Sequence, residues 1–158
     1  MSLNLSDDYL IGFVEGEGTF YVGIVPSKGT SKTKSGWQVI YFFKVLQNPI
    51  GKVVLDKIRK RLGCGYLKEN NRRDPIDKTL AYVVRDLPSL RDKVIPFFDG
   101  RLVIKRKAFN AFKKVIELVD SGQHISKNGM KQILDIAYSM NTRKRKVPKN
   151  KILKSYKD

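Results

Sequence analysis

Between Asp7 and Pro26 the chain changes its periodicity once, abruptly, at a cluster of glycines, and that junction restricts the folds open to it. Ser6 is a good helix N-cap, Asp7 and Asp8 suit the positive end of a helix dipole, and Tyr9-Leu10-Ile11-Gly12-Phe13-Val14 continue the helix. Gly16 and Gly18 are expected to end it. From Thr19 to Val25 the residues are dense in β-branched and aromatic types, closed by Pro26, which reads as a strand. Gly12 and Gly16 are four apart and so share one helix face. A glycine inside a helix costs about 1 kcal/mol against alanine, so a pair on one stripe implies another backbone approaching closely.

The remainder of the chain predicts an α+β domain. Ser27 to Gly36 is polar and reads as a hairpin loop; Trp37 to Gln47 alternates as a second strand. Trp37, Val39, Tyr41, Phe43 and Val45 fall on one face, with Trp37 expected in the core. Pro49 opens a helix that Gly63-Cys64-Gly65 closes. A second hairpin, Tyr66 to Arg73 and Thr79 to Asp86, turns at Asp74-Pro75. A short helix from Leu87 to about Phe98, a longer one from Lys105 to Val119 and a last one capped by Ser126 complete the order. These elements make one antiparallel sheet with helices. Residues 1–140 are expected to form a single domain and 141–158 a basic tail carrying eight Lys or Arg.

Two carboxylates, Glu15 and Glu17, stand at the end of the first helix among three glycines. Carboxylates at a helix C-terminus oppose the dipole, a local misfit of the kind found where chemistry is done. A carboxylate on a turn that can approach a phosphate is what Mg²⁺ needs, since that ion takes hard oxygen ligands from one or two carboxylates and substrate phosphate. Other groups offer less. Cys64 is the only cysteine, which excludes an intrachain disulfide and a cysteine-built zinc site and reads as a small half-buried residue in a reducing compartment. His124 stands alone and reads as a surface residue. The N-terminus carries no signal or transit pattern, and no apolar run is long enough to span a membrane.

Tyr9 to Gly18 resembles the LAGLIDADG motif of homing endonucleases, and the order of elements that follows is similar across about nine-tenths of the chain. Phe43-Lys44-Val45-Leu46-Gln47, Gly63-Cys64-Gly65-Tyr66 and Pro96-Phe97-Phe98 strengthen the likeness. The resemblance implies the αββαββα fold, its four-stranded sheets forming a DNA-binding saddle in a dimer. It implies that Gly12, Phe13 and Gly16 pack against the twin helix of a second copy. It places the metal at Glu17 with Gly16 beside it, and gives Glu15 a structural part at the helix junction. Gln47 falls on the polar residue that organises active-site water, and Lys105 on the active-site lysine, with Arg106 and Lys107 as rivals in register. A further basic position falls near Gly51 and has no match in place; Lys52 is its nearest substitute. The implied cofactor is Mg²⁺, with Mn²⁺ or Ca²⁺ able to take the site, and no small-molecule cofactor. The family is intron-encoded, which points to an organelle or a microbial cytoplasm.

The charge agrees with such a partner. Thirty-two Lys and Arg against fifteen Asp and Glu give a formal net charge of +17, a field that draws in a polyanion. One motif per chain supplies one metal-binding carboxylate, so cutting both strands of a duplex requires two chains and a near-palindromic target. Residues at outward strand positions are the expected base readers in the major groove: Tyr21, Gln38, Lys44, Lys68, Asn70, Arg72 and Tyr82. Lys28, Lys32 and Lys34 in the loop are expected to grip phosphates, and the run Arg143 to Lys146 to clamp flanking backbone. The alternative function is an intron-encoded RNA maturase, or a non-cleaving nucleic-acid-binding protein, on the same fold.

Overall fold

The computed structural model describes residues 3–29, 33–140, 145 and 147–156. Helix α1 covers Asp7–Glu17, and its start is capped by Ser6, whose Oγ accepts the Tyr9 N–H at 3.1 Å. Strand β1, Gly18–Pro26, follows without a linker, then β2, Trp37–Gln47. A 3₁₀ turn at Pro49–Gly51 leads into α2, Lys52–Leu62, which Gly63 ends in the left-handed conformation that glycine adopts at least cost. Strands β3, Tyr66–Glu69, and β4, Leu80–Val84, form the second hairpin. It is shorter than its sequence pattern predicts, because side-chain caps by Asn71, Asp74 and Asp77 shape residues 70–79 as turns. Helix α3, Leu87–Ser89, passes through a π-helical stretch, Leu90–Val94, into α4, Ile95–Phe98. Helices α5, Arg106–Asp120, α6, Lys127–Ser139, and α7, Lys149–Leu153, complete the described chain.

The four strands form one sheet in the order β1-β2-β4-β3, with β2–β4 and β3–β4 antiparallel. The chain divides into two compact units: Met1–Phe20 with Phe42–Lys107, and Tyr21–Tyr41 with Ala108–Asp158. In the first unit Phe43 is fully buried and takes three rings around it: Phe20 stacked at 5.1 Å, Phe98 at 5.3 Å and Tyr82 edge-on at 6.1 Å. Val54, Leu55, Ile58 and Leu62, at helical spacing on α2, add to this core. Asp7 is held by Arg61 in a bidentate pair at 2.9 Å, and Arg101 lies 3.7 Å away. The second unit buries Phe109, Phe112, Val115, Ile116 and Val119 of α5 together with Met130, Ile133, Leu134 and Ala137 of α6. Ile152 and Tyr156 are buried there too.

The β2–β4–β3 register decides which side chains share a face. Val45 pairs with Tyr82, and Lys44 with Val83. Val45 is fully buried, so Tyr82 points into the core with it. Tyr82 was expected to read bases; instead it is 0% exposed and its hydroxyl donates to the Cys64 carbonyl at 2.8 Å. Burial pushes its phenol far above the usual range, so it stays a neutral donor. Cys64 is half-buried, as its sequence context predicts, and burial raises its thiol pKa as well.

Candidate active site

Helix α1 turns Leu10, Ile11 and Val14 inward and leaves a different strip open. Gly12 and Gly16 are exposed, and a Cβ built on either meets nothing within 4 Å. Beside them Tyr9, half-exposed, stacks on Phe13 with ring centroids 6.5 Å apart. The two glycines are therefore not needed by the packing of this chain.

At the end of α1 the two carboxylates take separate tasks. Glu15 accepts the backbone N–H groups of Val103, Ile104 and Lys105, the last two at 3.0 Å each. These donors belong to the loop that leads into α5, so Glu15 ties that loop to the end of α1 from across the chain. Glu17 is exposed at the last position of α1, beside Gly16, where helix-final carbonyls lack intrahelical donors. Gly18 then lies so close to Val14 that a Cβ would collide with its carbonyl and side chain, which sets how sharply helix turns into strand.

Lys105 is half-buried, its backbone fixed by Glu15. Arg106, one of its rivals in register, spends its Nε on the Leu102 carbonyl at 3.1 Å. Gln47 ends β2 with its Oε1 accepting the Asn48 N–H at 2.8 Å, which leaves its amide nitrogen as a donor. Its side chain lies across Gly51, where any Cβ would overlap it. Lys52, the nearest substitute for the basic residue expected near Gly51, is drawn to Asp56 at 2.6 Å. Among the described residues no three of His, Cys, Asp and Glu come together as a metal cluster.

Residues 10–116 match the LAGLIDADG endonuclease family. The chain belongs to that family. A probable intron-encoded endonuclease of Neurospora crassa is 29% identical over 140 residues, which is 87% of this chain and 29% of that protein. The solved structure of the homing endonuclease I-TnaI is 31% identical, with a TM-score of 0.77 and 97% of each chain covered. The archaeal intron-encoded homing endonuclease I-Vdi141I, solved in complex with DNA, is 28% identical with a TM-score of 0.80, covering 94% of this chain and 92% of that one.

In this LAGLIDADG chain the outward face of β2, β4 and β3 carries the expected cations. Leu46 pairs with Ala81 and Ala81 with Lys68, so Lys68 shares a face with Lys44. Lys44 donates to Asn70 Oδ1 at 3.5 Å, bringing three of the expected readers together. Phe42 lies between two cations, Lys44 at 5.3 Å and Arg85 at 5.1 Å from its ring centre. Burial, then the neighbouring charges of Lys68 and Arg85, holds the Lys44 ammonium below its usual pKa. Arg85 was missed from the sequence, although strand alternation from Ala81 and Val83 leads to it. Tyr21 is half-buried and lies over Gly23, where a Cβ would strike its ring. Gln38 is half-buried and borders a cavity of about 890 Å³ together with Trp37, Tyr41 and His124.

Lys28, Lys34 and Arg72 are exposed outside the strands, and Lys32 lies outside the described residues. Ser27 and Gly36 close the loop with a 2.9 Å backbone bond, and Thr33 Oγ1 donates to the Trp37 carbonyl at 2.7 Å. Two further expectations need correction. His124 is half-buried rather than a free surface residue, with a buried Nδ1 that lacks a hydrogen-bond partner. Of the basic run expected to clamp DNA, residues 143, 144 and 146 lie outside the described residues, and Arg145 is turned to protein carbonyls. No described helix is long and apolar enough to cross a membrane.

Proposed function

We propose that this chain is a site-specific DNA endonuclease that makes a double-strand break in a long, near-palindromic duplex as a pair of identical chains. The observation that carries this reading is the division of labour at the end of α1: Glu15 ties the Lys105 loop to the helix, and Glu17 is left exposed beside Gly16. Two copies meeting along the open Gly12–Gly16 strip would bring two Glu17 carboxylates to one twofold axis. Each chain then serves one strand.

The donor chemistry fits a divalent metal. Glu17 and a helix-final carbonyl are hard oxygen ligands, suited to Mg²⁺ with substrate phosphate oxygens completing the shell. When bound, the ion would supply charge neutralisation at the scissile phosphate and activation of the attacking water. Lys105 places a cation where negative charge builds on the phosphoryl oxygens. Gln47 offers its amide nitrogen to orient water, its oxygen being engaged by Asn48. Lys44, Lys68, Asn70 and Arg85 face the duplex from the sheet, and Lys28 and Lys34 meet its phosphates from the loop. The intron-encoded relatives support an organelle or a microbial cytoplasm as the place of action.

Cleavage of a randomised duplex library with Mg²⁺, followed by sequencing of the cut ends, identifies the target. On that target Glu17→Gln should lower cleavage by at least about a hundredfold while binding is retained. A fully active Glu17→Gln chain would remove Glu17 from the metal site. Selection of folded intron RNA in place of duplex DNA would favour the maturase reading.

A further inference from the structure

The last described residues of the chain are fastened to the β1–β2 hairpin. The Arg145 guanidinium donates to the Val22 carbonyl in β1 at 3.2 Å and to the Ala137 carbonyl in α6 at 2.9 Å, and lies 5.5 Å from the Tyr138 ring. Strand β1 is at the edge of its sheet, where part of the backbone has no strand partner and is open to other donors and acceptors. Val22 is 1% exposed, so this edge carbonyl is met by a charged donor away from bulk water, the stronger class of hydrogen bond. Ten residues later Ser155 Oγ accepts the indole N–H of Trp37, the first residue of β2, at 3.1 Å. Between and beyond these ties the segment is anchored by buried Ile152 and Tyr156. The Tyr156 hydroxyl donates to the His124 carbonyl at 3.1 Å, and Lys149 pairs with Asp135 at 3.0 Å. One strand of the hairpin is held at its edge and the other at its start.

We propose that Arg145 and Ser155 are positioning residues for target choice: the C-terminal segment braces the hairpin and sets where its residues Tyr21 to Tyr41 meet base edges. This rests on the DNA-cleaving function proposed above. Side chains that read base edges have to be held within about 0.5 Å of their productive positions, and a hairpin with an unsupported edge does not hold them so. The segment therefore acts on specificity through the backbone, with no contact to a base required.

The test uses the full chain in four forms: parent, Arg145→Gln, Ser155→Ala, and Ser155→Thr, which keeps an Oγ acceptor. In the free protein, amides of residues 21–41 should exchange with solvent about tenfold faster in Arg145→Gln and Ser155→Ala, with those of residues 66–84 unchanged. Cleavage is then measured on every single-base-pair variant of the selected target. Discrimination should fall about tenfold at positions that do not respond to Lys44→Ala or Lys68→Ala, and stay as in the parent at positions that do. Ser155→Thr should keep the parent's behaviour in both measurements. Should Arg145→Gln fail to fold, the two Ser155 variants carry the comparison. An equal loss at every position, or unchanged exchange across residues 21–41, overturns the proposal. A parent that cuts no duplex overturns the nuclease reading and with it the role in specificity, while the exchange rates still report whether the brace exists.

Discussion

Glu15 accepts the backbone N–H of Lys105 at 3.0 Å, a bond that spans ninety positions of sequence. Together with the N–H groups of Val103 and Ile104, it makes one carboxylate the anchor of the loop that leads into α5 and of the Lys105 backbone. The two acidic residues of the motif therefore divide: Glu15 is spent on holding the protein, and Glu17 is left exposed for the metal role proposed for it. In the proposed nuclease, Glu15 would act on chemistry only through the position of Lys105.

Glu15→Gln tests that division. The amide keeps one acceptor oxygen and turns an NH₂ group toward backbone donors, which should cost about 1–3 kcal/mol in the folded chain. Lys105 would shift with its loop, and a displacement of about 1 Å near a reacting centre costs on the order of a hundredfold in rate. Single-turnover cleavage should drop accordingly, with DNA affinity little changed. Unaltered cleavage in a destabilised but folded variant would show that the Lys105 loop finds its place without Glu15.

Gly16→Leu separates folding from assembly. Within one chain a Cβ at this position meets nothing within 4 Å, and replacing a helical glycine favours the helix by up to about 1 kcal/mol. The isolated chain should unfold at the same or a higher temperature than the parent. Its pairing should nevertheless weaken if two copies meet along this strip, because a leucine would block the close backbone approach of the proposed α1–α1 contact. Sedimentation equilibrium beside a thermal melt reads the two effects, which should carry opposite signs. A variant that pairs as well as the parent would place the α1 strip outside the interface.

Lys44 predicts a linked effect on stability and choice of bases. Its folded pKa lies below the ordinary 10.5, so in the window beneath that value the unfolded chain binds more protons than the folded one. Stability should rise with pH there, and at neutral pH the charge of Lys44 is a penalty within the free protein. Lys44→Met should raise the melting temperature at neutral pH and flatten the rise toward pH 10.5. On DNA the same change should relax preference at one symmetric pair of positions, by about 1–3 kcal/mol of discrimination. A lower melting temperature at neutral pH, with base choice intact, would make Lys44 a packing residue.

What is encoded within a few neighbouring residues could be read directly. Ser6 and Ser126 cap the helices expected of them, since an N-cap bonds to a backbone N–H three residues on. The inward faces of α5 and α6 follow the 3.6-residue period, and Gly12 with Gly16 marked an open stripe before any packing was known. The placement of Tyr82, by contrast, depended on strand register. Composition makes residues 80–84 a strand, but a register shift of one residue turns every side chain to the other face, and the pairing with Val45 turned Tyr82 inward. Arg145 looked like any member of a basic run until Val22 and Ala137 supplied carbonyls that charge counting does not see. Glu15 likewise found its donors ninety residues away. Local propensities act over one helical turn or one strand pair of residues, and no such signal reports which distant backbone groups lack a partner. Chain folding decides that, and in this protein it determined which charges were left exposed and which were used to hold the protein together.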